Sequence, residues 1–582
     1  MKNYSFNLLR GEWAEVFYKL RKLGLVSNTN LIKIIIYTIL LAILEGMGVS
    51  LILPLLDFVN NSGSVIEINS SNNKITNYLI TIIDYLGLPA QFITLSIIIG
   101  MVILLRQYIG FIQLLLTTKV KLDCEYNIRK KIFTSTFKSS PNAIENLGNG
   151  SYVELITRQT SLAANYLNFL VQYVSCLLLC LSYVIIALVV SYKVAIITML
   201  IGIIVIMISY KFVLRIKNLA ALNMQEFKGF SKYLSESFLS WKMIKIYNMY
   251  NYENERNTKW IKNINNQEFQ SQKTFGLSKL FITLSIIVSL LLILNFGILY
   301  GHIETNILLL FSIMCLRLIP TVLTIVSYQG RISASLNSVN RVLDEVNTLN
   351  KNKEHDNGKN LFPVSGDIVL NDLSFKYTNT EKYIFKNFNA VIERNIATII
   401  IGQSGVGKTT IIEIITRILS SYEGSIKINN ININDILLKD YRNYISLLPQ
   451  SPIIFDDTVS SNIKYGKSTV SDKAVEIAAK LANAHEFINE LPNKYNTILG
   501  ERGNSLSGGE IQRIALARLL VSKAKILILD EPTSSLDFLA ASKVLEALNN
   551  IKKTNKYTLI IVSHSKDVVN ISDKIIKLIK IK

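Results

Sequence analysis

A chain of 582 residues is about four times the ~150 residues of an ordinary domain, which excludes a single compact domain. Half of it is hydrophobic (50%), only 18% is charged and the mean hydropathy is +0.33, which excludes disorder and points to burial in a membrane. The formal charge of +20, from 62 Lys and Arg against 42 Asp and Glu, is consistent with nucleic acid, anionic lipid or a cytoplasmic membrane face, so the placement of the charges must decide.

Six apolar stretches ahead of residue 330 are long enough to cross a hydrocarbon layer, which takes ~20 helical residues. They run over 31–59 (with a break at Pro54), 92–117, 166–190, 194–214, 280–300 and 307–328. A charged segment precedes the first, and no small-residue cleavage site with a soluble remainder follows it. It is therefore expected to stay in the mature protein. Basic residues are retained on the cytoplasmic side. They concentrate before the first span (Arg10, Arg21, Lys22), between the second and third (Lys119, Lys121, Arg129, Lys130, Lys131) and between the fourth and fifth (Arg215, Lys217, Lys228, Lys232). The other connections are short or acidic. The expected arrangement is a multi-pass protein of the cell's inner (plasma) membrane with both termini cytoplasmic. Most of the positive charge is then topological, and no aromatic-and-basic pattern calls for nucleic acid.

The two long cytoplasmic connections show mixed helical patterning without Gly or Pro clusters and read as helices continuing out of the bilayer, with tips at 146–154 and 235–245. On the outer side, Ile75, Tyr78, Leu79, Ile82 and Leu86 fall at helical spacing, which predicts an amphipathic surface helix over 73–88. Cys124, Cys176, Cys180 and Cys315 are scattered and read as buried thiols.

Polar residues follow the last span, and strand-like and helical segments then alternate to the end. The expected division is an all-α polytopic membrane domain over 1–335, a linker over 336–363 and an α/β P-loop nucleotide-binding domain over 364–582. A β-branched strand over 397–401 runs into Gly402, Gln403, Ser404, Gly405, Val406, Gly407, Lys408, Thr409 and Thr410 and then an apolar helix, the strand–loop–helix context of a phosphate loop. Its backbone N–H groups wrap phosphates, Lys408 neutralises the outer ones and the Thr409 hydroxyl can reach Mg²⁺. A second apolar strand, 526–529, ends in Asp530 and Glu531, a pair that can hold Mg²⁺ and polarise an attacking water.

Leu506, Ser507, Gly508, Gly509 and Glu510, upstream of that strand, resemble the signature motif of ATP-binding cassette proteins. Tyr377 resembles the aromatic that stacks on adenine, Gln450 the glutamine that couples metal and water to the membrane helices, 535–537 the D-loop and His564 the switch histidine. The resemblance implies ATP and Mg²⁺ as cofactors, Thr409, Gln450 and Asp530 around the metal, Glu531, His564 and Gln450 in catalysis, and Ser507 to Gly509 reaching the nucleotide of an opposite subunit. One cassette per chain, with no motif missing, implies a homodimer. Glu510 stands where Gln is commoner, Ile498 where an acid is frequent and Pro532 where Ala is frequent, and the chain stops without a long tail, read as loss of a terminal strand or tail. Six spans ahead of one cassette resemble the exporter class.

Short segments around Glu45 and Pro54, 73–88 and 317–320 resemble bacterial flippases of lipid-linked oligosaccharides. Arg106 and Arg317 lie about 20 and 15 Å deep as helices, and their guanidinium forks suit a diphosphate. Glu45 is the group able to neutralise one of them, and Lys279 begins the fifth span near the inner surface. The expectation is ATP-driven outward movement of an amphiphile, first a polyprenyl-diphosphate oligosaccharide held by Arg106, Arg317 and Lys279, with peptide, lipid or hydrophobic drug as the alternative. A soluble cassette ATPase is excluded by the spans.

Overall fold

The computed structural model describes residues 28–52, 85, 92–299, 305–354, 356, 358–359 and 366–579, except 378–379, 421, 523 and 535. The chain divides into two compact units, Met1–Lys353 and Glu354–Lys582.

The first unit is helical: α1 Asn28–Ser50, α2 Phe92–Phe137, α3 Thr160–Val190, α4 Tyr192–Leu239, α5 Tyr250–Leu299 and α6 Thr305–Lys351. At 1.5 Å per residue the 46 residues of α2 span about 70 Å, more than twice a hydrocarbon core of ~30 Å. The expected cytoplasmic extensions are thus continuous with the spans. Among the described residues five helices are long and apolar enough to cross a membrane. The remaining expected span, 194–214, falls on α4, many of whose side chains there lie outside the described residues. The tips appear as breaks: short helices Pro141–Leu147 and Asn149–Glu154 hinge at Gly148 (φ 71°), and Trp241–Ile246 follows the end of α4. The Pro54 break and the outer amphipathic helix over 73–88 lie outside the described residues, apart from Tyr85.

The expected linker over 336–363 is corrected at its start. Val339, Val342, Leu343, Val346 and Leu349 are buried at helical spacing, so α6 continues to Lys351 and the units part between Lys353 and Glu354. Outward-facing Ile93, Leu104 and Met101, each more than 60% exposed, give the unit the apolar exterior that lipid requires.

The second unit holds a five-stranded sheet in the order β6-β7-β8-β3-β9, with β3 Ala397–Ile401, β6 Ile445–Leu448, β7 Ile526–Asp530, β8 Thr558–Val562 and β9 Lys574–Lys577, all parallel. Alternate residues feed two cores: Ile399, Leu527, Leu529 and Ile561 on one face, Ile400, Ile528, Ile560 and Val562 on the other. Burial on both faces explains the unbroken apolar runs of β7 and β8. A smaller antiparallel sheet, β2-β1-β4-β5, is built from β1 Ile368–Phe375, β2 Phe385–Ile392, β4 Glu423–Ile428 and β5 Ile431–Asn432. The carboxyl ends of β3, β7 and β8 share one edge of the parallel sheet, where ligands of such sheets sit.

Candidate nucleotide site

The loop after β3 winds through Gly405 (φ 75°) and Gly407 (φ 99°) into α7 Lys408–Ile415. Both glycines occupy the left-handed region. At Gly407 a Cβ would also sit 2.3 Å from Ile384 Cγ2 and 2.7 Å from Phe385, so glycine is required twice over. Lys408 is 7% exposed and arches back over the loop, donating to Gly402 O at 3.0 Å, Gln403 O at 3.3 Å and His564 Nε2 at 2.6 Å.

Asp530, at the end of β7, is 9% exposed and accepts from Thr409 Oγ1 at 3.4 Å. Burial first and the neighbouring Glu531 second push its carboxyl above the usual range, against the Thr409 hydrogen bond and the Lys408 charge. Glu531 adopts φ 46°, unusual without glycine, and its N–H is anchored on Val562 O at 2.8 Å. That turn aims its carboxylate at Gln450 Nε2, 3.1 Å away, and His564 Nε2, 3.5 Å away. The expected catalytic trio of Glu531, His564 and Gln450 is therefore one cluster beside the phosphate loop.

Tyr377 packs edge-on against Phe375, with centroids 5.1 Å apart, and its hydroxyl lies 3.0 Å from Thr410 Oγ1. Tyr377 stays 38% exposed. Ser507 and Gly508 are exposed at the start of α8 Gly508–Leu520. Glu510 Oε2 accepts from Ser507 N at 2.8 Å, and Ser507 Oγ accepts from Glu510 N, which makes a capping box. Gly509 is buried, and a Cβ there would meet Ala540 Cβ at 2.6 Å. In the expected D-loop, Ser535 lies outside the described residues, and Asp537 caps α9 Phe538–Lys553 by accepting from Ala540 N at 2.7 Å.

The donor set fits a magnesium nucleotide. A buried ammonium and left-handed glycine turns suit phosphate, while a buried carboxylate, a hydroxyl and an amide suit a hard cation that takes oxygen ligands. One contributor escaped the sequence reading. Arg518 donates to Asn462 O and Ile453 O, both at 2.8 Å, with Phe455 and Tyr465 flanking its guanidinium, and so fixes the loop that follows Gln450. No local pattern marks it, since Glu510, Gln512 and Arg513 stand in the same helix.

The substrate residues expected in the first unit are arranged differently from a diphosphate grip. Glu45 of α1 is 5% exposed and pairs with both Arg106 Nε and Arg317 Nη1, the latter at 2.6 Å, while Tyr183 OH donates to it at 2.8 Å. One carboxylate thus takes both guanidinium groups, where the sequence suggested at most one. Lys279 is exposed on α5 and stands apart from this cluster in the sequence.

The description "ABC transporter transmembrane region" matches residues 31–319 and "ABC transporter" matches 385–534. The chain belongs to the ABC transporter family. A third description, "AAA domain, putative AbiEii toxin, Type IV TA system", matches 503–571 inside the same cassette. A putative multidrug export ATP-binding/permease protein of Staphylococcus aureus is 43% identical over 211 residues, 36% of each chain. ABC transporter B family member 29, chloroplastic, of Arabidopsis thaliana is 39% identical over 240 residues, 41% of this chain and 38% of that one. The matched segments thus span little more than a third of these relatives' lengths. A bacterial Atm1-family ABC exporter with ATP bound superposes with a TM-score of 0.78 at 21% identity, covering 95% of this ABC transporter and 94% of that chain, which speaks for the fold.

Proposed function

We propose that two copies of this chain form an ATP-driven exporter in the plasma membrane, both termini cytoplasmic, that moves an amphiphile outward. The observation that carries the reading is the clustering of Lys408, Thr409, Gln450, Asp530, Glu531 and His564 at one sheet edge, in a chain that also holds long apolar helices. Gly402 to Gly407 and Lys408 hold the phosphates, Tyr377 offers its ring to the adenine, and Thr409, Asp530 and Gln450 hold Mg²⁺. When bound, Mg²⁺ offsets phosphate charge. Glu531 takes the proton from the water whose oxygen attacks the γ-phosphorus as the bond to the β-phosphate oxygen breaks, and His564 contacts the γ-phosphate. The exposed Ser507 and Gly508, with the α8 N-terminus behind them, supply the anion-binding face for the nucleotide of the opposite copy.

For cargo, export of a hydrophobic or amphiphilic compound is favoured over a polyprenyl-diphosphate oligosaccharide. The staphylococcal relative's name refers to multidrug export, and the arginines expected to grip a diphosphate are both held by Glu45. The test is ATP-dependent accumulation in inside-out proteoliposomes of a hydrophobic fluorescent dye, set against a polyprenyl-diphosphate oligosaccharide. Transport of the dye supports the reading. Transport of the diphosphate lipid alone, lost in Arg106→Ala with Arg317→Ala, overturns the cargo assignment. Transport of neither by protein that hydrolyses ATP discards both cargoes.

A further inference from the structure

A second polar centre of the membrane unit lies below the expected inner surface of the bilayer. There α3, α4, α5 and α6, with the π-helical turn Leu155–Gln159 that leads into α3, line an open cavity of about 330 Å³. That volume falls within the ~300–1,000 Å³ typical of small-molecule sites. One part of its wall is apolar, with Leu162, Leu219, Met224 and Phe275, and another is polar, with Arg158, Gln267, Arg331 and Ser335. Two guanidinium groups, Arg158 and Arg331, face a single lining acid, Glu268, which leaves the wall positive.

The nearest carboxylate in sequence is shared: Glu154 Oε1 accepts from Gln159 Nε2 at 2.5 Å, its Oε2 lies 2.7 Å from Arg341 Nη2, and its charge also acts on Arg158. Arg158 lies over the Phe227 ring, 3.5 Å from its centroid, a contact that holds the guanidinium plane in place. Among the described residues, Arg158 Nη1 and Gln267 Oε1 are buried with no hydrogen-bond partner. A donor and an acceptor left unsatisfied in two residues that line one cavity call for an explanation, because buried polar groups are nearly always paired. The π turn that carries Arg158 is itself a feature enriched at functional positions.

We infer that this cavity is a cytoplasmic loading site for the head of an amphiphile that carries an anionic carboxylate or phosphate beside a hydrogen-bond donor. The anion answers the Arg158 guanidinium, the donor answers the Gln267 amide, and the apolar residues of the wall take the first carbons of the tail. This rests on the transporter reading and adds a charge preference at a place separate in sequence from Arg106 and Arg317.

The test is equilibrium binding to the full-length protein in nanodiscs of neutral lipid without ATP. The probes are lysophosphatidylglycerol (phosphate with hydroxyl donors), N-dodecanoylglycine (carboxylate with an N–H donor) and dodecylphosphocholine, whose phosphate has no hydroxyl or N–H donor beside it and is balanced by a cation. Saturable binding of either of the first two, about tenfold or more tighter than the third, is expected, and the tighter one identifies the anion. Arg158→Gln and Gln267→Leu should each weaken that binding by about 10- to 100-fold. Gln267→Leu also removes an unsatisfied oxygen, so its thermal midpoint without ligand should hold or rise, which separates lost binding from lost folding. Equal binding of all three probes, no binding, or binding indifferent to both substitutions would mean a cavity filled by water and would overturn the inference. ATP turnover measured on the same nanodiscs separates this failure from failure of the transporter reading.

Discussion

Each unit of the chain buries a cluster of charges, and the two clusters are finished differently. In the membrane unit, Glu45 is saturated: two guanidinium groups and a tyrosine hydroxyl converge on one carboxylate from α2, α6 and α3. In the cassette, Asp530 has a single long hydrogen bond, Glu531 is held by the Gln450 side-chain amide, and the turn beneath Glu531 is strained at φ 46°. A buried charge with every lone pair occupied holds helices together, whereas one with spare coordination in a strained setting is kept for a ligand.

That contrast can be broken from either side. The largest effect is expected for Lys408→Ala, which removes the ammonium spanning the phosphate loop. Nucleotide affinity and ATP turnover should both fall by 100-fold or more (~3 kcal/mol), read by binding of a fluorescent ATP analogue and by phosphate release. Retained affinity would make Lys408 a structural brace for Gly402 and Gln403. Next, Glu45→Gln should leave two guanidinium groups without a counter-charge. Removing one member of a buried pair costs about 3–5 kcal/mol, but Arg106 and Arg317 side chains are 33% and 46% exposed, so about 1–3 kcal/mol is expected as a lower thermal midpoint in detergent. An unchanged midpoint would mean that the cluster is not a brace, and would restore the arginines to the cargo.

In the cassette the sign reverses. Asp530 has a raised pKa, so its stabilising contribution is full below the ordinary carboxylate pKa of ~3.9 and is lost as pH rises through the folded value. At neutral pH Asp530→Asn should therefore raise the midpoint of nucleotide-free protein, by about 1 kcal/mol in stability, while abolishing Mg²⁺-dependent turnover. A lowered midpoint would place Asp530 with the braces. The smallest effect belongs to Glu510→Gln. The amide oxygen preserves the capping box, and only the charge at the helix N-terminus is lost, about 0.5 kcal/mol in a urea titration. A loss of 2 kcal/mol would show that Glu510 does more than cap.

How far the sequence could be read follows the same division. The phosphate loop, β7 with its acids and the signature are local patterns, each within about ten residues, and their order sufficed to place Lys408, Asp530, Glu531 and His564 together. The positive φ at Glu531 and the Arg518 clamp left no such trace, because both depend on what packs against them. In the membrane unit, hydropathy gave the helices, but Glu45 meets Tyr183 and Arg317 across sequence separations of 138 and 272 residues, which no local pattern encodes. The boundary at 336 was misplaced because polar residues at 350–358 outweighed the buried Val339, Val342 and Val346, whose spacing carries α6 to Lys351.

The most direct measurement is ATP turnover by purified wild-type protein and Glu531→Gln in proteoliposomes, with the oligomeric state of each read by size exclusion in ATP and Mg²⁺. The account predicts steady hydrolysis by the wild type. For the variant it predicts turnover lower by 100-fold or more, as expected for loss of a general base, together with a persistent ATP-bound dimer. Equal turnover by the two proteins would contradict the assignment of Glu531 and the division between working and bracing charges.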